Sequence, residues 1–393
     1  MLADDFSLDE EAIRFAIERA RTEDEDRGDA ALLARAETGL PIGLEETARL
    51  WFSSALSTQD LFQAAQSLRT RRDRPLETFS PLYLTNTCDA ECLMCGMRSG
   101  NQALVRETAD DGAIREQLEI LADRGMKGVA LLTGEYRGDR RAWAVERVRR
   151  ALTAALGLGF RHILVNMGSL EEDELGELLC HVPRDADGAL DTEAKVTMCT
   201  FQETYARDRY ARFMGRNPDN PRADFARRIA NFDRSFRSGF RVANPGILVG
   251  LSPDLAFEAL ALVQHSQHLH ARGMEVYVSA PRLRPTAGDR ARDGIEDETF
   301  VRLVSVLALA LPDAKIVLTT REPQEMQRRL APLVGVISAG SAAVAPYSAS
   351  GARFPLAASQ FEVVDQRPFE EILSEHVRPG RAIVNFQPLR PAG

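Results

Sequence analysis

The 393-residue sequence predicts an α/β fold in which eight parallel strands close into a (β/α)8, or TIM, barrel. Three observations lead to this prediction. Between residues 79 and 337, short apolar runs alternate with longer stretches of helical periodicity. There are eight such runs, the number of strands that closes a parallel barrel. Polar and charged residues directly follow most of the runs, and in such barrels the chemistry lies at the carboxyl ends of the strands.

The predicted elements divide the chain into three parts. Residues 1–78 are predicted to form an N-terminal helical extension, and residues 79–345 to form the barrel. Residues 346–393 have few periodic segments and are predicted to form a C-terminal extension that packs on the barrel. The barrel strands are predicted at residues 79–84, 128–132, 162–167, 196–201, 246–251, 276–280, 316–318 and 333–337.

Helices are predicted wherever apolar residues recur at i, i+3, i+4 and i+7 spacing. In the N-terminal extension Ser57 and Asp60 form the pattern of a capping box at the start of one of them. The predicted helices of the extension are 10–21, 44–56 and 60–68, and those of the barrel include 113–124, 142–156, 173–179 and 224–238.

Composition narrows the classes of partner. The formal net charge is −9, which does not favour nucleic acid or an acidic membrane surface as a partner. The longest apolar stretches are short and interrupted by charges, so no bilayer-spanning segment is expected. The start of the chain, residues 1–6, is acidic and therefore unlike a transit peptide. A reducing cytoplasm is the expected location for free thiols.

The most informative motif is a group of three cysteines, Cys88, Cys92 and Cys95, at C-x3-C-x2-C spacing. Three thiolates in one loop can hold three irons of a cubic 4Fe–4S cluster, which commonly takes four cysteine ligands. The other cysteines, Cys180 and Cys199, are far along the chain, so one iron would remain open to a small molecule. Zinc would need a fourth ligand at a set spacing, and a disulfide framework is improbable with five cysteines.

The cysteine spacing resembles the signature of the radical S-adenosylmethionine enzymes. The resemblance implies a 4Fe–4S cluster whose open iron binds the amino and carboxylate groups of S-adenosylmethionine. It also implies a flavodoxin- or ferredoxin-type reductant. Reductive cleavage of the sulfonium then yields a 5′-deoxyadenosyl radical that abstracts hydrogen, while the protein orients the reactants and excludes water.

Candidate S-adenosylmethionine contacts lie after the second and fourth predicted strands and on the fifth. Glu135 is a candidate acceptor for the methionyl ammonium, and Gly134 would let the backbone approach the ligand closely. Glu203 is a candidate acceptor for the ribose hydroxyls or the same ammonium. Residues 246–251 would form an adenine wall, with Gly250 giving room. An arginine within 222–228 would bind the methionyl carboxylate. The alternatives are exposed loop carboxylates for both glutamates and an ordinary core strand for 246–251.

Further strings resemble one group within that superfamily, the radical S-adenosylmethionine aromatic amino acid lyases. The group includes the tyrosine lyases of thiamine biosynthesis and of hydrogenase maturation, and the closest resemblance is to the tryptophan lyases that make 3-methyl-2-indolic acid. The match runs from about residue 79 to residue 362. The strings that carry it are residues 96–98, 133–135, 202–205, 244–251, 318–325, 336–341, 344–347 and 359–361.

This resemblance implies a one-domain barrel with a single cluster, since no cysteine follows Cys199. It implies that Arg321 and Ser338 anchor the carboxylate of a small aromatic amino acid, tryptophan, and that Tyr83 lies beside it. A planar guanidinium is also the side chain that physical reasoning would choose, because it holds a carboxylate through two parallel hydrogen bonds. The alternatives are a surface salt bridge for Arg321, a turn hydroxyl for Ser338 and a core aromatic for Tyr83.

The implied reaction abstracts hydrogen from the substrate amino group, breaks a Cα bond and moves the carboxyl fragment to indole C2. An antibiotic-type biosynthetic role is suggested by the resemblance alone. Two departures leave the substrate open: Met94 stands where many members of the superfamily carry an aromatic residue, and the loop 181–195 is longer. A lyase of tyrosine or another aromatic amino acid is the first alternative. A non-catalytic iron–sulfur protein for electron transfer is the second.

Overall fold

The computed structural model describes residues 5–22, 28–289, 294–377 and 382–387. Its eight parallel strands form a closed barrel in sequence order, in which β8 returns to pair with β1. The predicted (β/α)8 barrel is therefore confirmed. The residues outside these ranges include part of the acidic start and parts of both predicted extensions.

The strands agree with the predicted runs in seven of eight cases. They are β1 (Glu77–Tyr83), β2 (Gly128–Leu132), β3 (His162–Asn166), β4 (Lys195–Cys199), β5 (Val242–Asn244), β6 (Glu275–Ser279), β7 (Lys315–Thr319) and β8 (Val336–Ser338). The prediction of a fifth strand at 246–251 was wrong. Pro245 has no amide hydrogen to donate to the ladder, so β5 ends at Asn244. Residues 246–251 continue past the barrel with isolated bridges, such as Gly246 to Ser279.

Four helices precede the barrel: α1 (Glu10–Thr22), α2 (Asp29–Glu37), α3 (Leu44–Phe52) and α4 (Thr58–Arg72). The second of them was missed, because it is short and no side chain caps its N-terminus at Gly28. The capping box predicted for α4 is present, since Ser57 Oγ accepts a hydrogen bond of 3.1 Å from the backbone of Asp60. These helices cover the outer helices α11 and α12 on one side of the barrel.

The barrel helices surround the strands and leave both ends of the barrel to loops. They are α5 (Asp111–Asp123), α6 (Asp139–Gly157), α7 (Glu172–Leu178), α8 (Arg207–Met214), α9 (Phe225–Ile229), α10 (Asn231–Arg237), α11 (Leu255–Ala271), α12 (Asp297–Ala310) and α13 (Gln324–Leu330). The predicted helix 224–238 is therefore two helices, interrupted at Ala230. Among the helices of the described residues, none combines the length and the apolar character needed to cross a membrane.

The C-terminal segment contacts both ends of the barrel. It contains β9 (Tyr347–Ser348), β10 (Gly351–Ala352), a 3-10 turn (Leu356–Ala358) and α14 (Phe369–His376). The stretch after the 3-10 turn lies over the cysteine loop, where the amide of Gly96 donates to the carbonyl of Gln360 at 2.9 Å. At the opposite end Asn385 accepts a hydrogen bond of 2.8 Å from the backbone of Thr78. The division of the chain at residues 78 and 345 stays a prediction.

A buried ionic cluster fills the N-terminal end of the barrel. Glu77 of β1 pairs with Lys315 of β7 and with Lys195 of β4, the latter at 2.9 Å. Tyr277 donates its hydroxyl hydrogen to Glu77. Burial alone would raise the pKa of Glu77, but His162 and the two lysines outweigh it and hold the pKa at about 2. Because this end is filled, the open cavity lies at the carboxyl ends of the strands.

Candidate active site

The loop after β1 carries the three cysteines, and the side chains of Asn86 and Arg106 hydrogen-bond to its backbone and to that of its neighbours. Asn86 donates to the carbonyls of Val105 and Ala358 at 2.8 and 3.0 Å. Arg106 donates to the carbonyls of Asn86 and Met97 at 2.9 and 2.8 Å. These bonds hold the backbone of the loop, whose three cysteines line one cavity at the mouth of the barrel.

The cysteines of this loop are free to act as ligands. All the described cysteines are free of disulfides. Within the described ranges, no three His, Cys, Asp or Glu side chains converge closely enough to ligate one metal ion. A cubic cluster instead takes one thiolate at each of several irons, so its ligand sulfurs stand apart.

The surroundings of the cysteines also fit a cluster. The amides of Glu135 and Ala90 point at Cys88 Sγ at 3.3 and 3.4 Å, and such donors stabilise a metal-bound thiolate. Burial raises the pKa of Cys88 to about 12 and that of Cys92 well above its usual value. The thiolate form therefore needs a cation beside it, which bound iron would supply. Cys88, Cys92 and Cys95 would hold the cluster.

Gly134 lies where the loop after β2 presses against the cysteine loop. A Cβ at this position would overlap the carbonyl oxygen of Thr87 and lie 2.7 Å from Cys88 Cβ. Glycine is therefore required because two chain segments approach closely here. The sequence analysis expected Gly134 to allow a close approach to S-adenosylmethionine, whereas the close contact in the structure is with the cysteine loop. Gly134 still lines the cavity.

A buried network of two glutamates and two arginines borders the cavity. Glu135 pairs with Arg228 at 2.5 Å, and Glu203 pairs with Arg222 at 2.6 Å. Within the described residues, Glu135 Oε2 and Arg222 Nε make no hydrogen bond, so the network has capacity for a polar ligand. Of the three arginines in residues 222–228, Arg222 and Arg228 line the cavity, whereas Arg227 turns away and pairs with Glu171.

The candidate cofactor contacts differ in their burial and in their partners. Glu135 is buried and is not an exposed loop residue. Glu203 has φ of 70°, a left-handed conformation that is uncommon for a residue with a side chain and that aims it at Arg222. Gly250 does not itself line the cavity. Its φ of 111° requires glycine, and it lies behind Leu283, which does line the cavity together with Leu248.

Arg321, Ser338 and Tyr83 line the same cavity as the two glutamates. The Arg321 guanidinium stacks on Phe361, with 3.5 Å between Cζ and the ring centroid. Among the described residues no carboxylate lies within 4.0 Å of it, so the alternative of a surface salt bridge does not describe this side chain. Ser338 ends β8 next to β7, and the Tyr83 hydroxyl donates to Gln360 at 2.5 Å.

Sequence reasoning missed several side chains of this cavity. Gln360 and Phe361 were part of a matching string but were given no role. Cys199, Asn166 and Asn244 form a polar layer below the site, in which Cys199 Sγ donates to Asn244 Oδ1 at 3.3 Å. Polar residues at the ends of strands were the available signal for this layer, because the carboxyl ends of barrel strands converge.

The chain is similar to several known proteins. The family model described as "Biotin and Thiamin Synthesis associated domain" matches residues 279–380. The 2-iminoacetate synthase of Escherichia coli (strain K12) is 29% identical over 279 residues, which is 70% of this chain and 69% of that protein. The 2-iminoacetate synthase of Salmonella typhimurium is 26% identical over the same length and the same shares of both chains.

Solved structures extend the likeness to nearly the whole chain. HydG, a maturase of the FeFe-hydrogenase, superposes with a TM-score of 0.78 at 26% identity, over 94% of this chain and 78% of that chain. Methylornithine synthase (PylB) superposes with a TM-score of 0.66 at 19% identity, over 90% of this chain and 97% of that chain, which shows the shared barrel. With the cysteine loop, the likenesses to 2-iminoacetate synthase and HydG support a radical S-adenosylmethionine enzyme of the lyase and mutase kind.

Proposed function

We propose that this enzyme converts L-tryptophan to 3-methyl-2-indolic acid. The observation that carries the proposal is the Arg321 guanidinium, which lines the cavity and stacks on Phe361 without a carboxylate partner among the described residues. A desolvated guanidinium without an anion is costly unless a ligand supplies one. The carboxylate of an amino acid has the planar geometry to be that ligand.

Two groups of residues in the cavity are proposed to bind the cofactors and the substrate. Cys88, Cys92 and Cys95 would hold the 4Fe–4S cluster, and the cluster with S-adenosylmethionine would supply a carbon radical that takes a hydrogen atom from the substrate. Glu135 lies beside Cys88 and pairs with Arg228, and these two side chains are proposed to bind the methionyl ammonium and carboxylate. These roles rest on charge complementarity and on the cavity that the side chains share.

Arg321, Ser338 and Tyr83 are proposed to bind the amino acid. The guanidinium and the Ser338 hydroxyl would hold the carboxylate, and Tyr83 would lie beside the amino group. Hydrogen abstraction from one chosen atom needs a substrate that cannot rotate, since a displacement of about 1 Å can cost about a hundredfold in rate. After the Cα bond breaks, the same two groups would keep the carboxyl fragment close to indole C2.

Tyrosine is the second candidate substrate. The name 2-iminoacetate synthase supports it, because 2-iminoacetate is what an amino acid leaves when it loses its side chain. Tryptophan is preferred because the strings at 318–325, 336–341 and 344–347 resemble the tryptophan lyases most closely. A flavodoxin- or ferredoxin-type protein in a reducing cytoplasm is proposed as the electron donor. The barrel likenesses favour an enzyme over an electron-transfer protein.

The test is anaerobic incubation of iron-loaded protein with S-adenosylmethionine, a strong reductant and either tryptophan or tyrosine, followed by mass spectrometry. Tryptophan with an isotope label in its carboxyl group is expected to give 3-methyl-2-indolic acid that retains the label. The Cys92→Ala variant, which lacks one iron ligand, is the control and should give no deoxyadenosine. Cleavage of tyrosine without turnover of tryptophan would contradict the proposal and favour the second candidate.

A further inference from the structure

One short segment of the C-terminal extension, residues 359–361, contacts both the cysteine loop and the residues proposed to bind the substrate. Gln360 reaches Tyr83 and Cys95, and Phe361 stacks on Arg321. The segment is locked against the cysteine loop by the hydrogen bond from the Gly96 amide to the Gln360 carbonyl at 2.9 Å. A Cβ on Gly96 would lie 2.6 Å from that carbonyl oxygen, so only glycine allows the contact.

The Gln360 side chain joins a candidate substrate residue to a candidate cluster ligand. Its Oε1 accepts the hydroxyl hydrogen of Tyr83 at 2.5 Å, and its Nε2 lies 3.4 Å from Cys95 Sγ. A metal-bound thiolate carries no proton and can only accept a hydrogen bond. With a cluster in place, the amide nitrogen must therefore face the sulfur, and the amide oxygen must face Tyr83.

This orientation has a consequence for Tyr83. Its only donor hydrogen is committed to Gln360, so its oxygen presents lone pairs to the cavity and acts there as an acceptor. Burial raises the pKa of Tyr83, so the phenol keeps its proton, although the nearby charge of Arg321 acts in the opposite direction. An amino acid whose carboxylate is held by Arg321 carries an amino group, which is the donor that such an oxygen would bind.

We propose that Gln360 is a positioning residue that ties the substrate site to the cluster. It fixes the Tyr83 oxygen as the acceptor for the substrate amino group, and it donates a hydrogen bond to the Cys95 sulfur. The first half of this inference rests on the proposed function, and the second half does not. Hydrogen bonds to ligand sulfurs stabilise the more negative, reduced cluster and so raise its reduction potential.

The experiment compares Gln360→Leu, which loses both hydrogen bonds, with Tyr83→Phe, which loses only one. Gln366→Leu is the matched control, because Gln366 is an exposed glutamine of the same extension that donates to Val363 at 3.1 Å. Iron content and thermal melting identify variants that load and fold. The midpoint potential is measured without substrate by a titration followed by electron paramagnetic resonance, and the affinity for tryptophan is measured by equilibrium binding.

Gln360→Leu is expected to shift the midpoint potential to a more negative value and to weaken tryptophan binding about three- to tenfold, the net value of one neutral hydrogen bond. Tyr83→Phe should weaken binding by a similar factor, shift the potential less, and combine with Gln360→Leu in a non-additive way. Gln366→Leu should change neither quantity. If Gln360→Leu fails to load iron, Gln360→Glu keeps the shape and is measured instead, because its carboxylate cannot donate to the sulfur.

A Gln360 variant with full iron content and an unchanged potential would overturn the contact with Cys95. Additive effects of Gln360→Leu and Tyr83→Phe on tryptophan binding would overturn the link to Tyr83. If wild-type protein does not bind tryptophan while Gln360→Leu still lowers the potential, the proposed substrate fails and the cluster half of this inference stands.

Discussion

Replacing Arg321 with lysine tests the substrate end of the site, because it keeps the charge and removes the planar fork. Lysine cannot hold a carboxylate through two parallel hydrogen bonds. It also loses the stacking on Phe361, whose centroid lies 3.5 Å from the guanidinium carbon. We expect Arg321→Lys to bind tryptophan and to cleave it, but with less control of the carboxyl fragment.

The magnitude follows from the contacts that change. One charge-assisted hydrogen bond contributes about 1.5–3 kcal/mol, and a desolvated cation–π contact about 0.5–2 kcal/mol. Lysine recovers part of both, so a net loss of about 1.4–2.8 kcal/mol is expected, which is a tenfold to hundredfold fall in kcat/KM. The ratio of 3-methyl-2-indolic acid to simple cleavage products should fall as well.

The assay is quantitative mass spectrometry of both product classes and of deoxyadenosine from one anaerobic reaction. Arg328→Lys is the matched control, since Arg328 lies nearby on α13 with its side chain 61% exposed and paired with Glu375. The control should keep the wild-type ratio and rate. An Arg321→Lys enzyme with an unchanged product ratio and an unchanged KM would refute the reasoning that this guanidinium holds the substrate carboxylate.

Three further predictions concern the cluster loop, the cofactor network and the barrel floor. Gly134→Ala should lose most of its bound iron, measured by iron analysis, because the added methyl group overlaps the Thr87 carbonyl; full loading would contradict this. Glu135→Gln should bind S-adenosylmethionine at least about tenfold more weakly in equilibrium dialysis, because it loses a charge-assisted contact and leaves Arg228 without its anion; unchanged affinity would remove Glu135 from the cofactor site. The pKa of Glu77 is lowered from 4.5 to about 2 in the folded protein, so its ionised form contributes about 3 kcal/mol above pH 4.5, and this contribution is lost as the pH falls toward 2. The difference in urea unfolding free energy between apoprotein and its Glu77→Gln variant should therefore shrink between pH 5 and pH 3, and a constant difference would show that the carboxylate charge is not responsible.

The cysteine motif could be found from the sequence because its ligands come from one loop. Spacing of three and two residues is a local property, and Asn86 and Arg106 only reinforce it. The apolar runs likewise predicted seven of the strands correctly, because strands buried on both faces are continuous in apolar residues. The fifth run failed because residues 246–251 are apolar for another reason: beyond Pro245, Leu248 and Leu251 pack with the cysteine loop, and apolar periodicity does not distinguish these two kinds of burial.

The arginines of residues 222–228 illustrate the limit of sequence reasoning. Their composition indicated a cationic site but did not show which side chain faces it. In the structure Arg222 and Arg228 turn toward Glu203 and Glu135, while Arg227 turns outward to Glu171. Arg227 and Arg228 are neighbours on α9 and therefore point in different directions around its axis, so the position of that helix on the barrel decides which of them faces the cavity.

The sequence alone determined that this chain forms a barrel and that one loop carries three closely spaced cysteines, the proposed iron ligands, since both are encoded in patterns of neighbouring residues. Only the tertiary structure decided how the cysteine loop is connected to the proposed substrate residues. Gln360 lies 265 positions from Cys95 and 277 from Tyr83, yet its amide contacts both. Contacts over such distances depend on the closure of the barrel and on the path of the C-terminal extension across its mouth, and no local pattern of residues encodes that path.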